Sequence, residues 1–296
     1  MIDKLEMFLA LAKEEHFGRA AGVCGVTQPT LSAGIKQLEE QLGVMLVWRG
    51  SRFQGLTPEG ARVLEWARRI VADSRAMREE MRALRQGLSG KLRIAAIPTA
   101  LAMLSELTQR LSQRHPNLRF TVLSRTSAEI LQMLDNLEID AGITYLDNEP
   151  LGRVITVPLY AEHYNLVARR GTPLTDRSSV TWAEVASLPL CLLTPDMQNR
   201  RIVNHHMAEA GAAAAPRLES NSVITLVSHV MTGHWATILP LKTAQLFLHE
   251  GSLAAVPLSA PRAAHLVGLV APLREPHTPV LDALLEAARK LGATGA

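Results

Sequence analysis

Between Gly60 and Gly87 the chain carries neither glycine nor proline, and its apolar residues keep a strict beat. Val63, Ile70, Met77 and Leu84 recur every seventh residue, and Ala67, Ser74, Met81 and Leu88 repeat the interval four places out of phase. That is the a/d seam of a coiled coil, with charged residues on the remaining faces. A helix over 58–89 would be roughly 45 Å long, and a helix of that shape cannot cover its own stripe. Either it lies in the core of a larger domain or it pairs with a second copy. The charged flanks favour a dimerising linker. This one helix divides the chain into a short N-terminal segment and a long C-terminal one.

Composition limits what the two segments can be. Of 296 residues, 47% are hydrophobic and 20% charged, which excludes a wholly disordered chain. Aromatics are only 4%, and Ala and Leu supply most of the apolar mass, so an α/β protein is expected rather than a β-sandwich. No apolar run approaches the ~20 residues that span a bilayer, so no membrane partner is expected. The first residues carry acids within their apolar stretch and do not read as a signal peptide, so a cytoplasmic location is expected. Residues 16–69 hold seven Lys/Arg against four Asp/Glu, whereas the C-terminal segment is nearly balanced.

Residues 1–57 read as short helices followed by a wing. Ile2, Leu5, Leu9 and Ala12 mark one helical face. A second helix, Gly18–Cys24, stops at Gly25, and Thr27 looks like the N-cap of a third, with Pro29 in its first turn. Leu31, Ile35, Leu38 and Leu42 give that helix a core face. Its other face offers Gln28, Thr30, Ser32, Ala33, Lys36 and Gln37, the residue types that bind phosphates and base edges in a major groove. The small residues at 32–34 would let the helix backbone approach DNA closely. Arg19 precedes the turn, and Arg49 and Arg52 lie on the basic wing, Met45–Leu56, where they would follow the phosphate backbone.

Residues 90–296 alternate strands and helices. Strands at 91–97, 118–123 and 141–146, with helices at 100–114 and 127–138, predict a βαβαβ unit with a parallel sheet. A similar alternation restarts near 162, and a late strand at 265–271 with a helix at 279–291 returns to the first lobe. The expected division is lobe I, 90–161 plus 266–296, and lobe II, 162–265, joined by two crossings. In such folds ligands bind at strand C-termini against helix N-termini. Pro98, Thr99 and Ala100, with Thr99 as a helix N-cap, and Thr126 and Ser127 stand at such ends in lobe I. Thr194, Asn199, Arg200, Asn221 and Ser222 do so in lobe II, and Tyr145 completes the set. The hydroxyls and amides, with Arg200, suit a small anion such as a carboxylate.

Other chemistries find little support. His205 and His206 are adjacent on a helix and point ~100° apart, so they cannot chelate one metal together. His229 and His234 lack a carboxylate or cysteine companion, so no metal site is expected. Cys24 and Cys191 form no pair, no nucleophile motif occurs, and neither a cofactor nor a catalytic residue is expected. The four tryptophans read as core residues. An enzyme using Asp140, His163 and Tyr145 in the cleft, or a solute-binding protein, are the alternatives; the second leaves residues 1–88 without a purpose.

Phe8, Leu9, Phe17, Ala20 and Ala21, then TQPTLSAGIKQLEEQLGVMLVWR (27–49) and GLTPEG (55–60), resemble the N-terminal region of LysR-type transcriptional regulators. The likeness continues in order through the linker and both lobes. It implies a winged helix-turn-helix, a coiled-coil dimer linker and a two-lobe effector domain similar to periplasmic solute-binding proteins, assembled as a dimer of dimers. The implied partners are double-stranded promoter DNA, a small-molecule effector, a second copy of the chain and RNA polymerase. Many family members carry a basic or amide pair where this chain has Ala33 and Gly34, which shifts base readout toward Gln28, Thr30 and Lys36. HFGRAAGVCGVTQPT, DAGITYLDNEPLGR and LTPDMQNRR are similar to a branch associated with formate dehydrogenase genes.

Overall fold

The computed structural model describes residues 1–48, 53–248, 251–259 and 264–294. They form two compact units: residues 1–88 with 135–138 and 274–279, and residues 89–134 with 139–273 and 280–296.

The first unit is built on α1 (Ile2–Glu14), α2 (Phe17–Val23), α3 (Gln28–Leu42) and α4 (Pro58–Gln86). Leu5, Phe8 and Leu11 of α1 pack with Ala20 and Ala21 of α2 and with Leu31, Ile35 and Leu38 of α3. Gly25, at φ 67°, makes the left-handed turn between α2 and α3. Thr27 caps α3 by accepting from Thr30 N, and Gly43 closes it at φ 71°. After α3, the buried Glu39 carboxylate accepts from Leu46 N at 2.8 Å and Val47 N at 3.3 Å, which fixes the chain entering the wing. Val47 bridges to Leu56 on the way out. Thr57 Oγ1 then donates to Met45 O at 2.6 Å and accepts from Gly60 N at 2.9 Å as the cap of α4.

The helix α4 corrects the heptad reading. Ala67 is fully buried in the core with α1, and Ser74 is buried and accepts from Arg78 Nη2 at 3.0 Å, so neither belongs to an open seam. The exposed apolar stripe is instead Trp66, Ile70, Met77, Met81 and Leu84. An α-helix this long has room for two faces: small residues pack inward against the bundle while the large ones stay open.

The second unit holds β1 (Gly90–Ala96), α5 (Leu101–Arg114), β2 (Leu118–Ser124), α6 (Ser127–Asp135), β3 (Ala141–Tyr145), β4 (Val154–Glu162) and β5 (Tyr164–Arg169). It continues with β6 (Val180–Thr181), α7 (Trp182–Ala186), β7 (Cys191–Leu193), α8 (Gln198–Glu209), β8 (Leu218–Ser220), α9 (Val223–Met231) and β9 (Ala236–Pro240). The last elements are α10 (Leu241–Gln245), β10 (Leu253–Ser259), β11 (His265–Pro272) and α11 (Pro279–Thr294). One sheet has the order β2-β1-β3-β11-β4, with β1 parallel to β2 and β3 and with β11 antiparallel to β3 and β4. A second has the order β6-β10-β5-β9, and β7 pairs with β8 alongside it. The chain passes from the first sheet to the second between Glu162 and Tyr164, and returns between Ser259 and His265.

Strand β4 escapes a sequence reading because Pro158 sits inside it. The structure tolerates the proline because β4 is an edge strand, and the register with β11 slips between Val267 and Gly268, opposite Pro158.

Candidate nucleic-acid interface and interlobe site

On α3 the core residues and the polar residues separate cleanly. Leu31, Gly34, Ile35 and Leu38 are buried, whereas Gln28, Pro29, Thr30, Ser32, Ala33, Lys36 and Gln37 are exposed. Thr27, also exposed, shares a hydrogen bond of 2.9 Å between its hydroxyl and that of Thr30. Among the described residues Lys36 makes only a long, exposed contact with Glu40, 3.8 Å, and so stays available for a phosphate. Arg19 is held against Glu14, whose backbone oxygen accepts from its guanidinium. Arg49 and Arg52 lie outside the described residues.

Gly34 departs from expectation. It faces inward, and a Cβ there would lie 2.6 Å from Met7 Sδ, so its smallness serves the α1–α3 packing rather than an approach to DNA. Nor are all the tryptophans core residues: Trp182 is 1% exposed, but Trp48 and Trp66 are 51% and 58% exposed.

The residues named for an effector do not all meet. Pro98, Thr99 and Ala100 form a buried turn of 3-10 helix ahead of α5. Thr99 does not cap a helix; the extra turn displaces it, and α5 starts from Ala100 with no side-chain cap. Its buried Oγ1 makes no hydrogen bond among the described residues, although it faces the Glu162 carboxyl closely enough to lower its pKa. Thr126 and Glu129 form a reciprocal cap on α6, and the buried Ser127 Oγ beside them has no hydrogen bond among the described residues. Thr194 Oγ1, just past β7, is likewise unpartnered among the described residues.

Ser222 caps α9, accepting from Thr225 N at 3.4 Å, and Asn221 is exposed at the surface. Arg200 is removed from the set. Its guanidinium is buried and donates to Leu193 O at 2.9 Å, Glu219 Oε1 at 2.6 Å and Asn204 Oδ1 at 2.8 Å, so its charge is already neutralised.

What the structure does assemble is a buried polar cluster where the two sheets join. Tyr145 Oη donates to Glu162 Oε2 at 2.6 Å, and Tyr160 Oη donates to Glu162 Oε1 at 3.1 Å. Because the single proton of Tyr145 is committed, Tyr164 Oη donates to Tyr145 Oη across 2.9 Å, and Asn199 Nδ2 donates to both phenols at 3.3 Å. Burial pushes the Glu162 carboxyl up to about 7, although the hydroxyls of Tyr145, Tyr160 and Thr99 oppose it. Burial and the adjacent carboxyl hold Tyr145, Tyr160 and Tyr164 well above the usual phenol range. Glu162, Tyr160 and Tyr164 were not legible as site residues, since nothing local in PLYAEHY marks a buried carboxylate.

The acid–base trio considered for an enzyme is not assembled. Asp140 is held by Arg93, with Oδ1 2.9 Å from Nη2 and Oδ2 2.7 Å from Arg93 N, and His163 is exposed. Cys191 Sγ is buried, directs its weak donor at Leu226 O and Ala236 O, and burial pushes the thiol up to about 11.

A helix pair whose second member turns a polar face outward, joined in one chain to a two-lobed α/β unit with a buried polar junction, defines a DNA-binding regulator with an effector domain. Residues 2–61 match the family described as "Bacterial regulatory helix-turn-helix protein, lysR family", and residues 85–293 match the "LysR substrate binding domain". The Escherichia coli (strain K12) "DNA-binding transcriptional dual regulator OxyR" is 31% identical over 288 residues, covering 96% of this chain and 94% of that protein. The "Hydrogen peroxide-inducible genes activator" of Pectobacterium carotovorum subsp. carotovorum is 29% identical over 290 residues, 96% of each.

Among solved structures, a full-length OxyR from Pseudomonas aeruginosa, carrying a cysteine-to-aspartate substitution, superposes with a TM-score of 0.76 at 26% identity, covering 98% of this chain and 94% of that one. Full-length CbnR in complex with its target DNA gives 0.62 at 21% identity, with 98% and 99% covered, and shows the shared fold. This chain belongs to the LysR family of transcriptional regulators.

Proposed function

We propose that the chain reads a promoter through α3, with Gln28, Thr30, Ser32 and Lys36 directed at the groove, Arg19 and Thr27 at its entry, and Arg49 and Arg52 on the flanking phosphates. The separation of buried apolar from exposed polar side chains on α3 carries this reading. RNA polymerase is the further partner that a promoter-bound regulator would meet, and the cytoplasm is where both would be found. Replacing Lys36 with Ala should weaken binding to the DNA upstream of its own gene at every sequence tested, and lower the slope of log affinity against log salt by about 1. A slope equal to that of the unaltered protein would remove Lys36 from the phosphate contacts.

The effector is read as a small oxygen-bearing anion, a carboxylate, held at the lobe junction. The supporting observation is the pair of buried hydroxyls of Ser127 and Thr194 that have no hydrogen-bond partner among the described residues, since a buried hydroxyl left unpaired costs about 1–3 kcal/mol. A ligand oxygen would satisfy them. The two cysteines stand in different units and the Cys191 thiol is held protonated, so the effector is read as bound reversibly rather than sensed through an intramolecular disulfide.

Formate, acetate and oxalate should each be tested for a rise in thermal midpoint, because a ligand that binds only the native state stabilises it by mass action. Formate is the first choice on the resemblance to the branch linked with formate dehydrogenase genes. Ser127→Ala should leave basal stability equal or higher, since it removes an unpaired polar group, yet abolish the ligand-induced rise. No rise with any of the three anions would overturn the carboxylate reading.

A further inference from the structure

We propose that the two lobes are fastened by a proton-labile histidine clasp, His206 against His265, which opens on acidification and makes the effector domain pH-responsive. Helix α8 of the second lobe is tied to the first lobe along one side. Gln198 Nε2 donates to Asp147 O at 3.2 Å, Asn199 reaches Tyr145, and Arg201 grips Glu149 with two bonds of 2.7 and 2.8 Å. The last tie, one turn from the end of α8, is His206 Nε2 to His265 Nε2 at 2.8 Å. His265 begins β11 and is the register partner of Glu162, so it stands at the return crossing directly opposite the outward one. Both imidazoles are buried, at 4% and 6% exposure.

Two facing Nε2 atoms at this distance share one proton, and their neighbours set which carries it. Asn148 Nδ2, 2.9 Å away, donates to His265 Nδ1, so His265 is protonated at Nε2 and donates to His206 Nε2. His206 is then protonated at Nδ1 and donates to Glu209 Oε2 at 3.0 Å. Every donor has an acceptor while both rings are neutral. A further proton on the facing nitrogens can enter only at His206 Nε2, where it places N–H against N–H and the bond must break; with His265 also charged at Nδ1, two cations face each other.

The groups around the clasp set its sensitivity. On His265 act Asp147, whose Oδ2 lies 3.6 Å from Nδ1, Glu162 across the strand pair, and the Tyr145 and Tyr164 rings at 6.3 and 5.8 Å. On His206 act Glu209 and His205 of its own helix and the Trp182 ring of α7 at 5.2 Å. Burial lowers the pKa of His265 against the pull of Asp147, with His206 and His205 adding to the lowering. A base favoured neutral in the fold contributes stability above its unfolded pKa of ~6.5 and loses it as pH falls. Glu162 has the opposite sign, because its raised pKa makes the fold more tolerant of acid.

The regulatory consequence rests on the effector-domain reading above, but the clasp itself is tested without DNA or effector, so either can fail alone. Amide hydrogen exchange on the full chain would follow residues 159–166 and 265–268 from pH 8 to 5, with exchange times scaled for intrinsic chemistry. The opening constant should rise by up to about tenfold per pH unit once the histidine pair takes up a further proton. His206→Gln and His265→Gln should each flatten that rise, and Glu162→Gln should keep or steepen it. An unaltered protein whose exchange ignores pH, histidine variants that keep the full dependence, or a Glu162→Gln protein that loses it would each overturn the clasp.

Discussion

Glu162 shows how burial can set the charge state of a side chain against its ordinary preference. Among the described residues no cation pairs with it; its hydrogen-bond donors are the phenols of Tyr145 and Tyr160, and those do not offset the cost of burying its charge. Its pKa in the fold, about 7, exceeds the ordinary 4.5, so its favourable contribution is complete below the unfolded value. That contribution is lost as pH rises, and levels off above about 7. The full difference corresponds to about 3 kcal/mol. Glu162→Gln cannot ionise, so the thermal midpoint of the variant minus that of the unaltered protein should grow more positive from pH 5 to pH 8. Taking the difference cancels the histidine contribution, which is common to both proteins. A difference that does not vary with pH would mean that the carboxylate is solvated and its charge costs nothing.

At the scale of elements, local chemistry was legible wherever it acts within a few residues. Gly25, Thr27 and Pro29 specify the turn into α3 through a left-handed stop, a cap hydroxyl and a tolerated missing N–H, and the structure places each in that role. Parallel strands separated by helices were likewise readable at β1, β2 and β3. Failures arose where a distant partner decides the role. The strand β4 went unread, and an edge position and a slipped register accommodate its Pro158. Thr99 reads as a cap until a 3-10 turn displaces it. Arg200 reads as an anion ligand until Glu219, nineteen residues away, claims its guanidinium. Side chains whose partners lie far away in the sequence, Glu162, His206 and His265 among them, carry no local signature at all. Periodicity reports which face is buried, not what it is buried against.

For the whole molecule the decisive feature is the open stripe of α4. Trp66, Ile70, Met77, Met81 and Leu84 are between 40% and 75% exposed, at spacings that keep them on one side of a 29-residue helix. Fully burying each large apolar side chain is worth about 1.5–3 kcal/mol, so a second copy laid along the stripe has ample driving force even after the entropy of association. Such pairing would present two recognition helices together, so that they could contact half-sites about one DNA turn apart. The prediction is Met77→Glu, near the middle of the stripe. It leaves the inward residues Ala67 and Val71 untouched, so each unit should keep its fold and its melting transition. Desolvating a charge against the partner's apolar surface should raise the dimer dissociation constant by at least about tenfold, seen in sedimentation equilibrium. Affinity for a two-half-site promoter should fall with it, whereas the weak binding to a single half-site should not change. A Met77→Glu protein that sediments as the unaltered one does, at the same concentrations, would show that the stripe is covered by something other than its twin.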